Sequence, residues 1–136
     1  MSNIYGTTFN PKFSDFDIQG VLNSKHYLDY LTEARIEQHE TRYKIPMSKY
    51  LAKNQTFVVQ DFHIKFNKPI LFGHKFVVYT QVKDITGPIA TMQFRFVSED
   101  NEDRIYSEGT IQYSLFDFAN KKSVSFSEED KSVYLM

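Results

Sequence analysis

The chain has 136 residues, no cysteine, and 16 basic against 17 acidic residues, for a net charge of −1. That length fits a single domain over residues 1–136 and buries roughly two-thirds of the unfolded surface, so folding needs neither disulfide nor metal. The lack of cysteine excludes a disulfide scaffold, a thiolate zinc site and a cysteine nucleophile, and the balanced charge lacks the basic footprint of a nucleic-acid binder.

The opening residues, MSNIYGTTFN, carry neither a basic n-region nor an apolar h-region, so no signal peptide is expected and the chain reads as cytoplasmic. No apolar run approaches the roughly 18 residues of a membrane span. Residues 5–13 predict a first strand, edge or bent because Pro11 cannot donate to a ladder. A tight Asp-x-x-Gly turn follows at Asp17 to Gly20, and Asn23 or Ser24 can cap the helix behind it. Residues 24–43 contain no Gly or Pro, and Tyr27, Leu28, Leu31, Ala34 and Arg35 recur at helical spacing. The opposite face carries Lys25, Asp29, Glu33, Glu37 and Glu40, with Glu33 and Glu37 a like-charge pair, so tertiary packing must hold this helix. Pro46 is expected to end it, with a loop or short helical turn over residues 46–55.

Beyond that point the pattern alternates. Phe62, Ile64 and Phe66 alternate with Asp61, His63 and Lys65 in a strand over residues 57–67. Strands follow at 76–85, 89–97 and 105–118, divided by Pro69 and Gly73, by a Thr86-Gly87-Pro88 turn, and by a charged loop at 99–103. Gly109 predicts a bulge or a close backbone approach. The tail from Ala119 is polar up to a final Val133-Tyr134-Leu135-Met136. The order is strand, long helix and four antiparallel strands, which predicts a two-layer α+β domain with the helix packed on one sheet face. Thirteen Phe and nine Tyr suit such a sheet and also a subunit interface.

The segment Asp15-Phe16-Asp17-Ile18-Gln19-Gly20, with Asn23, Tyr27-Leu28-Asp29-Tyr30 and Glu33-Ala34-Arg35 behind it, resembles the front signature of hotdog-fold acyl-CoA thioesterases of the 4-hydroxybenzoyl-CoA thioesterase type. Lys68-Pro69-Ile70-Leu71-Phe72-Gly73 is similar to that family's connection before the third strand, and Glu108-Gly109-Thr110 with Asp117 to its final strand. The resemblance spans roughly residues 5–128. It implies a hotdog fold, one long central helix wrapped by a five-stranded antiparallel sheet. It also implies a homodimer or homotetramer that hydrolyses acyl-CoA or acyl-carrier-protein thioesters, with coenzyme A entering only as part of the substrate and no cofactor or metal.

In that family Asp17 would be the catalytic carboxylate, as nucleophile or as general base for water. The backbone N–H near Ser24 would polarise the thioester carbonyl. A helix N-terminus offers unpaired donors and partial positive charge, and a donor aimed at an oxyanion is worth ~3 kcal/mol. Gly20, Asn23, Ser24 and Tyr27 are the positioning residues, and Lys65, Lys68, Lys75 and Arg95 the candidates for the phosphates of coenzyme A. The chain departs from relatives that carry a His directly after the Gly or at the position of Ser24, since Val21 and Ser24 stand there. His26 falls two residues late.

Plainer roles stand beside these. By spacing alone Asp17 is also an ordinary turn residue, and Asn23 an ordinary N-cap. Asp15 is expected to hold the turn through an Asx-type bond. Ser24 lacks the His–Asp pair of a serine nucleophile. Glu33 is expected to be solvated or ion-paired, although a helix carboxylate can serve as base. His39-Glu40 lacks the second His of a helical zinc motif, His63 falls on the polar side of its strand, and His74 is expected to be exposed. The rival reading is a non-catalytic hotdog module that binds an acyl or aromatic ligand or acts in assembly. A helix-rich cone such as a cyclase-like fold is disfavoured by the single long helix.

Overall fold

Each alternating segment becomes a strand that buries one side. In this structure, a computed structural model that describes residues 3–136, the five long strands are β1 (Ile4–Phe9), β2 (Gln55–Phe66), β3 (Phe76–Thr86), β4 (Ile89–Ser98) and β5 (Ile105–Asp117). Met1 and Ser2, the first two residues of the opening segment, lie outside the described residues. The strands lie in the order β1-β3-β4-β5-β2, every pair antiparallel, and a two-residue β6 (Lys122–Ser123) pairs with the end of β5. On β4, Ala90, Met92, Phe94 and Phe96 are buried while Gln93 and Arg95 are exposed. β1 stops at Phe9, two residues before Pro11, where a missing N–H would break the ladder.

Residues 24–43 form one helical path. It comprises a 3-10 turn (Ser24–His26), α1 (Tyr27–Gln38) and a π turn (His39–Tyr43). Lys44 ends it in the left-handed conformation, φ 60°, so Pro46 is not the terminator but the N-cap of a short α2 (Met47–Leu51). The buried positions of α1 are Tyr27, Tyr30, Leu31, Ala34, Arg35 and Gln38, at intervals of three and four. Leu31 and Ala34 share the core with Ile70, Phe76, Met92, Phe96 and Ile111. The result is a curled five-stranded antiparallel sheet wrapped around the helix, the hotdog arrangement.

The tail differs from its polar reading. Ser127 Oγ accepts from the Asp130 N–H and starts α3 (Glu128–Leu135). Asp130 takes Lys49 Nζ and the Tyr50 hydroxyl, both at 2.9 Å, and Tyr134 is buried. Gly109 is the close approach rather than a bulge: a Cβ there would lie 1.9 Å from the His63 carbonyl oxygen. The bulges fall instead at Val59/Asp61, Val82/Asp84 and Phe96/Val97.

Candidate active site at the start of the long helix

The turn before α1 is held almost entirely by main-chain bonds. Asp17 N–H donates to the Val21 carbonyl at 2.9 Å, Gly20 N–H donates to the Asp17 carbonyl at 3.0 Å, and Phe16 and Leu22 bridge across it. Gly20 takes φ +77° with open space around it, so the backbone, not crowding, calls for glycine here. The connection between β2 and β3 clamps this turn from outside. Leu22 N–H donates to Ile70 O at 2.8 Å, Phe72 N–H donates to Gly20 O at 2.9 Å, and Val21 bridges Leu71. The Phe72 ring meets Phe13 and Phe16 edge-on, each at 5.3 Å. The Pro-to-Gly connection therefore does more than join two strands, a role its sequence signals only through turn residues.

Asp17 and Asp15 divide their work differently from the sequence reading. The Asx-type bond expected of Asp15 is made by Asp17, whose Oδ1 accepts from Gln19 N–H at 2.9 Å and Val21 N–H at 3.1 Å. Asp17 Oδ2 has no partner among the described residues. Asp15 instead receives the Tyr30 hydroxyl on Oδ2 at 2.5 Å, faces His26 Nε2 at 3.7 Å, and accepts Asn23 N–H on its backbone carbonyl. Although only one residue separates them, Asp15 and Asp17 line different clefts, and only the structure tells which of the two holds the turn. Burial, then the bond to Asp15, pushes the Tyr30 phenol up to about 12.

The helix start leaves one donor open. Asn23 Oδ1 accepts from Lys25 N–H at 3.2 Å and the Asn23 carbonyl from His26 N–H at 3.0 Å, while Ser24 N–H finds no acceptor among the described residues. Tyr27 is buried between the rings of Phe66 and Phe96, and burial pushes its phenol up to about 12. Its hydroxyl makes no bond to the protein among the described residues.

Asp17, Asn23, Ser24, Tyr27 and Lys68 line one open cleft of about 410 Å³. Gly20 shapes the turn beside it. The other cations lie elsewhere. Lys65 stands opposite Glu108 in the β2–β5 register, Arg95 lies over the Tyr79 ring at 5.4 Å, and Lys75 is exposed ahead of β3. His26 turns away into a second cleft with Asp15, Asp29, Tyr30 and Glu33, so among the described residues Asp17's cleft has no histidine on its walls. Glu33 is exposed, His63 is exposed and paired with Asp61 at 2.8 Å, and His74 is exposed. Among the described residues no group of three or more His, Asp and Glu side chains is placed to hold a metal ion. No described helix is long and apolar enough to cross a membrane.

A family model described as the thioesterase-like superfamily matches residues 11–132. A search of curated proteins found no match. Solved structures match well. A hypothetical protein from Thermus thermophilus superposes with a TM-score of 0.84 at 20% identity, covering 95% of each chain. A DHNA-CoA thioesterase from Staphylococcus aureus gives 0.87 at 15%, covering 96% of this chain and 88% of its own. A 1,4-dihydroxy-2-naphthoyl-CoA thioesterase from Synechocystis gives 0.85 at 10%, covering 96% and 95%. At these identities the structural matches establish the fold.

Proposed function

We propose, from the premise that this chain belongs to the thioesterase-like superfamily, that it hydrolyses acyl thioesters of coenzyme A or an acyl carrier protein. The observation that carries the proposal is the pairing of the Asp17 carboxylate with the unpartnered Ser24 N–H around a single cleft. Structural neighbours include proteins named as a gentisyl-coenzyme A thioesterase, a 1,4-dihydroxy-2-naphthoyl-CoA thioesterase and an oleoyl thioesterase, and the aromatic walls here, Tyr27 and Phe66, suit an aromatic or a medium-chain acyl group alike.

In the proposed reaction the thioester oxygen sits at the Ser24 N–H. Asp17 Oδ2, the oxygen the turn leaves free, either removes a proton from water or attacks the carbonyl itself. On the water route, hydroxide adds to the carbonyl carbon and negative charge gathers on the oxygen facing Ser24 N–H. The C–S bond then breaks, and the departing thiolate takes the proton from Asp17. On the attack route, a mixed anhydride forms as the thiolate leaves, and water cleaves it. Asn23 keeps the helix start open, Gly20 lets the turn close, and the Tyr27 hydroxyl is a neutral donor at the cleft. Lys68 is the cation placed to meet the carrier's phosphates. Lys65, Lys75 and Arg95 can join it only if a second subunit brings them near.

That second subunit is part of the proposal. β2 forms one margin of the sheet, with Val58 and Val59 exposed at 45% and 41%. An open strand edge of that kind is a template for pairing with another copy, giving a dimer, or a tetramer of two such dimers, in the cytoplasm. The alternative, a hotdog module that binds an acyl ligand without cleaving it, is favoured by the cleft's lack of a histidine.

The deciding experiment follows thiol release from a panel of acyl-CoAs by the purified protein and by Asp17→Asn. Hydrolysis by the parent and its loss in the variant support the reading. Equal rates remove Asp17 from the mechanism, and saturable binding with no thiol release favours the binding module. Transfer of label from heavy-oxygen water into Asp17 in one turnover separates attack from base catalysis.

A further inference from the structure

At the other end of α1 a buried cation has no counter-ion. Arg35 is 7% exposed, and no Asp or Glu lies within salt-bridge distance among the described residues. Its hydrogen bonds all leave from Nη1, to Gln38 Oε1 at 3.4 Å, the Tyr43 hydroxyl at 3.3 Å and Thr80 Oγ1 at 3.1 Å, so Nε and Nη2 bond nothing in the protein. The Tyr43 ring, 5.1 Å away, gives partial compensation. A desolvated guanidinium with only neutral partners is costly, and an anion would complete it.

The same side chain lines a cavity of about 270 Å³ between the last turns of α1 and the concave side of the sheet. Its walls are largely apolar, among them Ile36, Met47, Phe57, Met92 and Phe126, and contain no acidic residue. His39, also in the wall, is held neutral: burial and the nearby Arg35 push it down to about 3. Among the described residues Arg35 is therefore the only formal charge in the wall. A second group points the same way. The Tyr113 hydroxyl is buried with no hydrogen-bond partner, and Tyr113 lines this cavity. A cationic fork and an unspent hydroxyl donor at an apolar hollow match one chemistry, a carboxylate carried on a small hydrocarbon body. The cavity shares no lining residue with the Asp17 cleft.

We propose that this cavity is a second ligand site, which binds a small apolar monocarboxylate with Arg35 as its counter-ion and Tyr113 as an added donor. The site does not depend on the hydrolytic reading. The probes are octanoate and benzoate, each set against the matching alcohol, octan-1-ol or benzyl alcohol. Calorimetry measures their affinity for the parent, Arg35→Gln, Tyr113→Phe and Ala90→Leu, the last of which adds bulk to the cavity wall and keeps Arg35. The acids are expected to bind and the alcohols to bind at least about tenfold more weakly, the scale of one charge-assisted bond. Arg35→Gln is expected to remove that difference, Tyr113→Phe to weaken the acids by about tenfold or less, and Ala90→Leu to abolish acid binding. Circular dichroism checks that each variant is folded. If Arg35→Gln does not fold, Tyr113→Phe and Ala90→Leu decide. Equal binding of acid and alcohol, no binding of either acid, or acid affinity unchanged in both Tyr113→Phe and Ala90→Leu overturns the proposal.

Discussion

The two ends of the long helix solve opposite problems. At its start, Asp17 and Ser24 are exposed, the turn is tied by main-chain hydrogen bonds, and donors are left open. At its far end, Arg35, Gln38 and His39 are buried polar side chains linked to β1, β3 and α3. One end leaves its donors open to the outside; at the other, Gln38 and His39 hold the chain together while Arg35 keeps Nε and Nη2 unspent beside the cavity. The difference teaches that polar residues on one helix can serve reactivity or cohesion, according to whether the backbone around them has spent its hydrogen bonds.

The first way to break this contrast is at the start. Asp17→Asn is expected to lower kcat by a factor of at least ~100, the scale of a lost general base. Stability should move by less than about 1 kcal/mol, because the amide oxygen can still accept from Gln19 and Val21. Thiol-release kinetics beside urea melts measure both numbers, and a large loss of stability would dissolve the distinction between the two ends.

The far end should respond in the reverse sense. Gln38 is fully buried, donates to Thr7 Oγ1 at 3.0 Å, Tyr5 O at 3.3 Å and Val78 O at 3.4 Å, and accepts from Thr80 and Arg35. Gln38→Ala strands those groups and is expected to cost about 3 kcal/mol in urea denaturation, with turnover per folded molecule unchanged. A fall in turnover without a fall in stability would mean that this end also serves the reaction.

Acid should act on the far end as well. His39 Nδ1 lies 2.8 Å from the Arg35 carbonyl and Nε2 3.0 Å from the Tyr134 hydroxyl, with the Arg35 cation nearby. Its folded-state value of about 3 lies below the ordinary 6.5, so the unfolded chain binds the extra proton between those limits. Its stabilising contribution is full above pH 6.5 and declines as pH falls toward 3, by up to about 1.4 kcal/mol per pH unit. His39→Gln should flatten that part of the stability profile relative to the parent. Identical slopes would show that the imidazole is protonated in the folded state. The smallest effect is expected outside both ends: Ser127→Ala removes the α3 cap and should lower stability by about 1 kcal/mol in thermal melts.

The sheet was legible because its alternation is strong: Met92, Phe94 and Phe96 against Gln93 and Arg95 leave one assignment of faces. The helix was legible from the absence of breakers more than from its stripe, because Arg35, Gln38 and His39 sit on buried positions that periodicity assigns to apolar residues. The tail helix was missed. Its signal is the Ser127-x-x-Asp130 capping pattern ahead of Val133 and Tyr134, short enough to pass for loop. At the candidate site, residue types and spacing singled out the turn, and the structure gathers Asp17, Asn23, Ser24 and Tyr27 around one cleft. Which aspartate holds the turn was not legible, since both spacings permit an Asx bond. Nor could spacing separate Lys68 from Lys65, Lys75 and Arg95, because convergence of cations depends on how strands and connections stack.

The clamp on the Asp17 turn is written in peptide groups: Leu22 to Ile70, Phe72 to Gly20, and the Val21–Leu71 bridge. None of these bonds specifies a side chain. Ile18, fully exposed, and the exposed Leu71 can therefore vary without moving the carboxylate. The geometry that fixes the Asp17 carboxylate is thus inherited separately from the exposed side chains around it, so on the proposed reading selection can rewrite the surroundings of this cleft while the carboxylate stays in place.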